Sequence, residues 1–403
     1  MLTNGRGLLF IFLFLFVAIS SVLIFVTAAK FNWDISLNLL ASQFLKGHIS
    51  LEPNTSLPVG DISIYSGKYY LYFGPLASLI LIPFVAIFGI SFPQATIGIL
   101  SLVLSFFAVY YISRKFSFSQ IDSLYLSLFF IASTVLLSNS LINITSYLVE
   151  SLGVPLVLIS LVLYFSKNRR SFLIGVFLGL AVMTRVTLIL ALTFFIVEFV
   201  KKRMTQKDLI KLLIPVIFTC LILGTYNYLR FNNLLESGYN YHMGDPYPLS
   251  KNFEGFGRTN IAHIPANLYA FFLKPPVPIL EYKDGFVFKF PYLKADPWGM
   301  AIWITSPLFL YLVFKFRQSK YTISAFIATI IIAIPIFTYY SIGFAQFGYR
   351  YALDFLPFLF LLLLPSLLPK LSKTAITLIA VGVVFNCLYI TSLWNVYPHF
   401  GIF

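Results

Sequence analysis

Eleven apolar runs separated by short basic loops constrain this chain of 403 residues more than anything else in it. Roughly 20 apolar residues in a row suffice to cross a bilayer as a helix. The runs fall at 8–29, 92–113, 121–138, 151–166, 171–184, 186–200, 211–229, 299–315, 321–341, 354–369 and 373–394. Soluble domains carry about 25% charged residues, whereas this chain carries 10%, with 59% hydrophobic residues and a mean hydropathy of +0.89. The expectation is an all-α polytopic membrane protein, a single transmembrane domain over residues 1–403. The formal charge of +14 does not point to nucleic acid, because the basic residues sit in clusters between apolar runs. These are Arg114-Lys115, Lys167 to Arg170, Lys201 to Lys211, Lys315 to Lys320, and Lys370 with Lys373. With Arg6 cytoplasmic, eleven spans put every cluster inside, as topology signals require. A span at 75–90 would break that pattern. This short run contains Pro83 and reads instead as a re-entrant or interfacial helix. The first run is too long for a signal-peptide core of about 7–15 residues, so it is expected to stay as an anchor.

Two segments then face outward, a first outer loop over 30–91 with interfacial helices and a second over 230–298. They hold most of the acids. Of fourteen Asp and Glu, only Asp122, Glu198 and Asp208 lie near the cytoplasmic side. Asp34, just beyond the first span, reads either as a general base or as the N-cap of an amphipathic helix over 35–45 that ends at Gly47. Glu150 opens the fourth span and either orients a cation or is an idle interfacial charge. Arg185 interrupts an apolar stretch and suits phosphate oxygens through its planar fork of donors. It could equally snorkel at a turn. Arg350 and Asp354 are four apart, a spacing that lets them pair on a helix, or leaves Arg350 as a second phosphate contact. Asp61 and Lys68 in the first outer loop, and Tyr349 beside Arg350, join the candidate substrate-binding set. His48, His242, His263 and His399 show no zinc spacing, no DxD pair is present, and neither nucleotide-binding glycine motif occurs. No metal and no cofactor is therefore expected. Cys220 and Cys387 lie within apolar runs, so no disulfide framework is readable.

The order of several short motifs resembles that of GT-C glycosyltransferases. After the first span and its acid comes Ala41-Ser42-Gln43-Phe44-Leu45-Lys46-Gly47. Next is Gly67-Lys68-Tyr69-Tyr70-Leu71-Tyr72-Phe73-Gly74-Pro75 ahead of an apolar helix. Gly175 to Arg185, Asn227 to Phe231, Glu236 to Tyr239 and Phe347 to Tyr351 follow. The chain is similar to the branch of protein O-mannosyltransferases and lipid A aminoarabinose transferases, although Tyr72-Phe73-Gly74 stands where that group commonly has His-Pro-Pro. The resemblance implies an inverting transfer of a monosaccharide from a polyprenyl-phosphate carrier to a glycan, lipid or protein acceptor. It sets the reaction at the outer face of what would be a bacterial plasma membrane. It also implies that Asp34 stands where the catalytic base stands, that Glu150 lines the site, and that Arg185 and Arg350 lie near the lipid phosphate. The alternatives are a transporter or flippase of a lipid-linked glycan, and an O-antigen-type polymerase or ligase using a diphosphate-linked donor. The first would place charges in mid-span, where the sequence has almost none.

Overall fold

The computed structural model describes residues 5–29, 34–52, 61–242 and 256–395. Each of the eleven apolar runs carries helix, as α1 (Gly5–Ala29), α4 (Thr96–Lys115), α5 (Gln120–Ala132), α7 (Thr145–Phe165), α8 (Ser171–Val182), α9 (Leu192–Val200) and α10 (Gln206–Phe231), and beyond them as short turns within 302–314, α12 (Thr322–Phe337), α13 (Leu356–Leu367) and α14 (Lys373–Tyr389). Among the described residues, the helices long and apolar enough to cross a membrane number five: Gly5–Val26, Thr96–Lys115, Thr145–Phe165, Gln206–Phe231 and Lys373–Leu393. The remaining runs form shorter or broken helices. The protein is an integral, multi-pass membrane protein, and α7 is its centre. α7 is 78% buried against 22% for α1 and 28% for α10, so the outer helices keep their apolar faces for lipid.

Several elements depart from the sequence reading. The fourth span begins at Thr145 rather than 151, which sets Glu150 in the second turn of α7. The third run breaks after Ala132 and resumes as α6 (Leu136–Leu141). Ser133 and Thr134 compete locally for backbone partners at such a break. The side chain of Asn386 on α14 covers it, donating to the carbonyls of Ala132 (3.1 Å) and Thr134 (3.4 Å) and also of Thr305 (3.1 Å). The two long loops hold helices α2 (Ser36–Leu45), α3 (Leu76–Phe88) and α11 (Ile264–Phe272), and also strands that the all-helical expectation omitted. One antiparallel hairpin joins β1 (Ile62–Tyr65) to β2 (Lys68–Leu71), and a second joins β3 (Val277–Tyr282) to β4 (Phe286–Lys294).

Close packing fixes the ends of the helices. α8 lies against α10 at glycine: a Cβ on Gly175 would stand 2.0 Å from the Leu212 carbonyl oxygen. Small residues let membrane helices approach this closely. At one end of the bundle the basic loops touch one another. Arg169 donates to the Arg203 carbonyl, Arg203 to that of Lys320, and Arg317 to that of Leu368. There too the buried Glu198 accepts from Tyr164 at 2.5 Å and from Arg203 at 2.9 Å, and also from Ser324. α7 runs away from that end, so its first turn lies at the other. The Asn386 side chain is what satisfies the broken helix, and its loss strands buried carbonyls at about 1–3 kcal/mol. Asn386→Leu, similar in volume, is expected to lower the thermal midpoint of the detergent-solubilised protein without changing its helical content.

Candidate active site

Two carboxylates meet at the first turn of α7. A helix N-terminus presents unpaired N–H groups and partial positive charge, which stabilise an anion. Asp34 is 3% exposed. It accepts from the Thr145 N–H at 2.6 Å through Oδ2 and from the Thr145 hydroxyl at 2.9 Å through Oδ1. Oδ1 also accepts from the Ser36 N–H at 3.0 Å, at the start of α2. The Asn143 amide donates to the Asp34 carbonyl at 3.2 Å. The N-cap of α2 is Ile35 rather than the expected Asp34, yet the Asp34 carboxylate takes the first N–H of both α2 and α7.

Asp61 is the second carboxylate. It accepts from the Tyr72 hydroxyl at 2.8 Å and from the backbone N–H of Ser146. Register explains the first contact: Ile62 pairs with Leu71, so Asp61 and Tyr72 are the next residues along the two strands. Burial, and after it the nearby charge of Asp34, pushes the Asp61 carboxyl up to about 6 from an ordinary 3.8. The hydrogen bonds from Tyr72 and Ser146 and the charge of Arg350 pull the other way without offsetting it. The Tyr72 hydroxyl is itself driven well above its usual range, by burial first and then by Asp61.

Below this turn lies a buried charge cluster. Arg350 reaches both Ser146 Oγ at 3.3 Å and Glu150 Oε1 at 3.4 Å, since residues four apart on α7 share a face. Arg185, in the break between α8 and the helical segment over 186–200, lies 3.5 Å from the same Glu150 oxygen and 3.1 Å from Asp354 Oδ1. Asn139 donates to Glu150 Oε2 at 2.9 Å, and Thr187 to Asp354 Oδ2 at 2.6 Å. Arg350 does not pair with Asp354. Residues 350–354 form a 3₁₀ turn, where three residues complete a turn and positions four apart point about 120° away from each other. Asp354 therefore meets Arg185 instead.

Aromatic rings enclose the two guanidinium groups. Arg350 lies 4.5 Å from the Tyr147 ring centre and 5.0 Å from that of Tyr351, and Arg185 lies 5.6 Å from Tyr351. The Tyr239 ring lies 4.6 Å from that of Tyr72, and the His242 ring lies 5.2 Å from it. The Tyr239 hydroxyl, pushed up to about 12 mainly by burial, feels the charges of Arg185, Glu150 and Asp61. Sequence reasoning missed this ring of Tyr72, Tyr147, Tyr239 and Tyr351. Only the Tyr-Arg-Tyr run at 349–351 and the tyrosines of two quoted motifs hinted at it. Two candidates lie apart. The Tyr349 hydroxyl is buried and donates to Asn267 at 2.7 Å. Lys68 sits at the exposed tip of the first hairpin, opposite Tyr65.

The arrangement thus combines a fixed anion, a second carboxylate of raised pKa, two caged guanidinium groups and stacked phenols. The Nε of Arg350 is buried with no hydrogen-bond partner among the described residues. Among those residues, no group of three or more His, Cys, Asp and Glu gathers as metal ligands.

No family model matches the chain, and no curated protein matches it. Two solved structures do. The structure of ArnT from Cupriavidus metallidurans bound to undecaprenyl phosphate superposes with a TM-score of 0.54 at 13% identity, covering 92% of this chain and 62% of that one. The apo state of the same protein gives 0.49 at 16% identity, over 88% and 59%. The present chain thus spans about 62% of the length of the ArnT it resembles. Identity this low speaks to architecture alone: the fold is ArnT-like.

Proposed function

We propose that this protein is an inverting glycosyltransferase that moves a monosaccharide from a polyprenyl-phosphate carrier to an acceptor at the outer face of a bacterial plasma membrane. The observation that carries the reading is the joining of two carboxylates and two guanidinium groups at one end of an ArnT-like fold. The acceptor hydroxyl or amine attacks the anomeric carbon and gives its proton to a carboxylate. The bond from that carbon to the phosphate oxygen breaks, and its electrons leave with the polyprenyl phosphate. Arg350 and Arg185 stabilise the charge that grows there, and the tyrosine ring stacks on the sugar. The undecaprenyl phosphate carried by the ArnT structure supports a donor of this class. The basic loops gathered at the opposite end of the helices support an outward-facing site.

The division of labour between the acids follows from their bonds. Asp34 already accepts three hydrogen bonds at two helix starts, which suits it to hold the first loop against α7. Asp61, less engaged and with a pKa near 6, is better poised to take a proton. Asp61→Asn is expected to lower transfer about 10²–10⁴-fold with an unchanged thermal midpoint. Asp34→Ala strands the buried Thr145 N–H, at about 1–3 kcal/mol, and is expected to lower the midpoint as well as the activity. The assay is release of polyprenyl phosphate from a labelled polyprenyl-phosphate sugar in nanodiscs with envelope extract as the acceptor source. Full transfer by Asp61→Asn, with Asp34→Asn inactive yet normally stable, would return the base to Asp34.

The pH profile gives a separate check. A base works deprotonated, so the rate should rise about tenfold per pH unit below about 6 and level off above it. A carboxyl with a raised native pKa stabilises the fold at acid pH and loses that contribution as pH climbs from 3.8 towards 6. An acid limb therefore does not reflect unfolding caused by Asp61. Binding tests the donor. Arg350→Gln should weaken undecaprenyl phosphate about tenfold to a hundredfold, from loss of a charged hydrogen bond of about 1.5–3 kcal/mol, measured by native mass spectrometry. Equal competition by undecaprenyl diphosphate would favour the ligase alternative.

A further inference from the structure

We infer that the β3–β4 hairpin is a membrane anchor whose aromatic face lies in the lipid headgroup region beside the mouth of the site. The hairpin is amphipathic by register. Tyr282 pairs with Phe286 and Leu280 with Phe288, so these four share one face, and alternation adds Phe290 to it. All five are exposed, from 50% for Leu280 to 78% for Phe290. The opposite face carries charge beside the exposed Val287, which pairs with Glu281. Glu281 there draws Lys289 to 3.4 Å and Lys283 to 3.7 Å, and both lysines remain mostly exposed. Left in water, a face of this kind is an association surface.

Three observations name lipid as what covers it. The root of the hairpin is tied to the end of a lipid-facing helix: Tyr389 at the close of α14 donates to the Pro291 carbonyl at 2.9 Å, and the Ala295 N–H donates to Ser392 at 2.9 Å. α14 carries exposed Val381, Val384 and Leu388 up to that point, so the apolar surface of the helix continues into the hairpin. The composition also fits, since aromatic rings favour the membrane interface and Lys283, Lys289 and Lys294 against Glu281 and Asp284 leave one net positive charge for anionic headgroups. Lastly, α14 starts at Lys373 in the basic loops and ends here, which sets the hairpin at the same end of the bundle as Asp34 and Arg350.

The test places a nitroxide on each face in the full chain, with Cys220 and Cys387 changed to Ala, in nanodiscs of phosphatidylethanolamine and phosphatidylglycerol. A label at Phe288→Cys is expected to collide several-fold more often with oxygen than with a water-soluble nickel chelate, and a label at Lys289→Cys the reverse. Equal access of the chelate to both positions overturns the anchor. So does dipolar broadening at position 288 that fades on dilution with unlabelled protein, because a second copy then covers the face. Should the cysteine-free chain fail to assemble, photoactivatable phospholipids with the unchanged protein decide the matter. Cross-links on residues 280–290 support the anchor, and their absence beside labelled α14 refutes it.

Discussion

The hydrogen bonds between Asp34 and Thr145 hold together the end of this molecule that carries the candidate site. They join residues 111 positions apart in sequence and tie the segment after α1 to the first turn of α7, the most buried of the five long helices. In a site shielded from water, a carboxylate is tolerated when charge and donors meet it. The start of α7 supplies both through its free N–H groups and its dipole. The same turn receives Asp61 on the next N–H, so one helix terminus orders both acids. Their closeness has a consequence: the charge fixed on Asp34 makes the proton on Asp61 harder to lose.

Everything beneath follows the face of α7. Ser146 and Glu150 are one turn apart and both touch Arg350, while Tyr147 lies under its guanidinium. Glu150 then recruits Arg185 across the bundle, and Arg185 recruits Asp354. Each arginine is caged by carboxylates and rings before any substrate arrives. Preorganisation of this sort lowers the reorganisation needed when charge develops on a leaving group. It also explains why Arg185 can stand in a break between apolar helices. Its counter-charges are built into α7 and the 350–354 turn.

Much of this was legible in the sequence, for physical reasons. Helix positions followed from hydrophobic length, and the gathering of basic loops at one end followed from their clusters. Asp34, Glu150, Arg185 and Arg350 stood out because charge beside apolar sequence needs a partner. What escaped notice depended on pairing through space. Ser66 and Gly67, both at positive φ, form the two-residue turn that mates β1 with β2, yet their strands are only four residues each. The second hairpin carried an Asp284-Gly285 turn signal that the sequence reading passed over. The tyrosines of the site come from four separate stretches of chain, and no local pattern unites them. The spacing of Arg350 and Asp354 misled for the opposite reason: an α-helical rule was applied to a 3₁₀ turn.

The first hairpin shows how the two halves of the site are held in register. β1 delivers Asp61 and β2 delivers Tyr72, and the ladder between them fixes their contact. Two residues later, Gly74 lies so close to the end of α8 that a Cβ would stand 2.0 Å from the Met183 carbonyl oxygen. Arg185 follows Met183 by two residues. One short stretch, 72–74, therefore ties the carboxylate side to the guanidinium side through backbone contact, with no flexible side chain between them. The His-Pro-Pro run common in the resembling group is absent here, and glycine at 74 is the residue that this close approach permits. A Cβ at this position would push the first loop off α8 and with it Tyr72 away from Arg185.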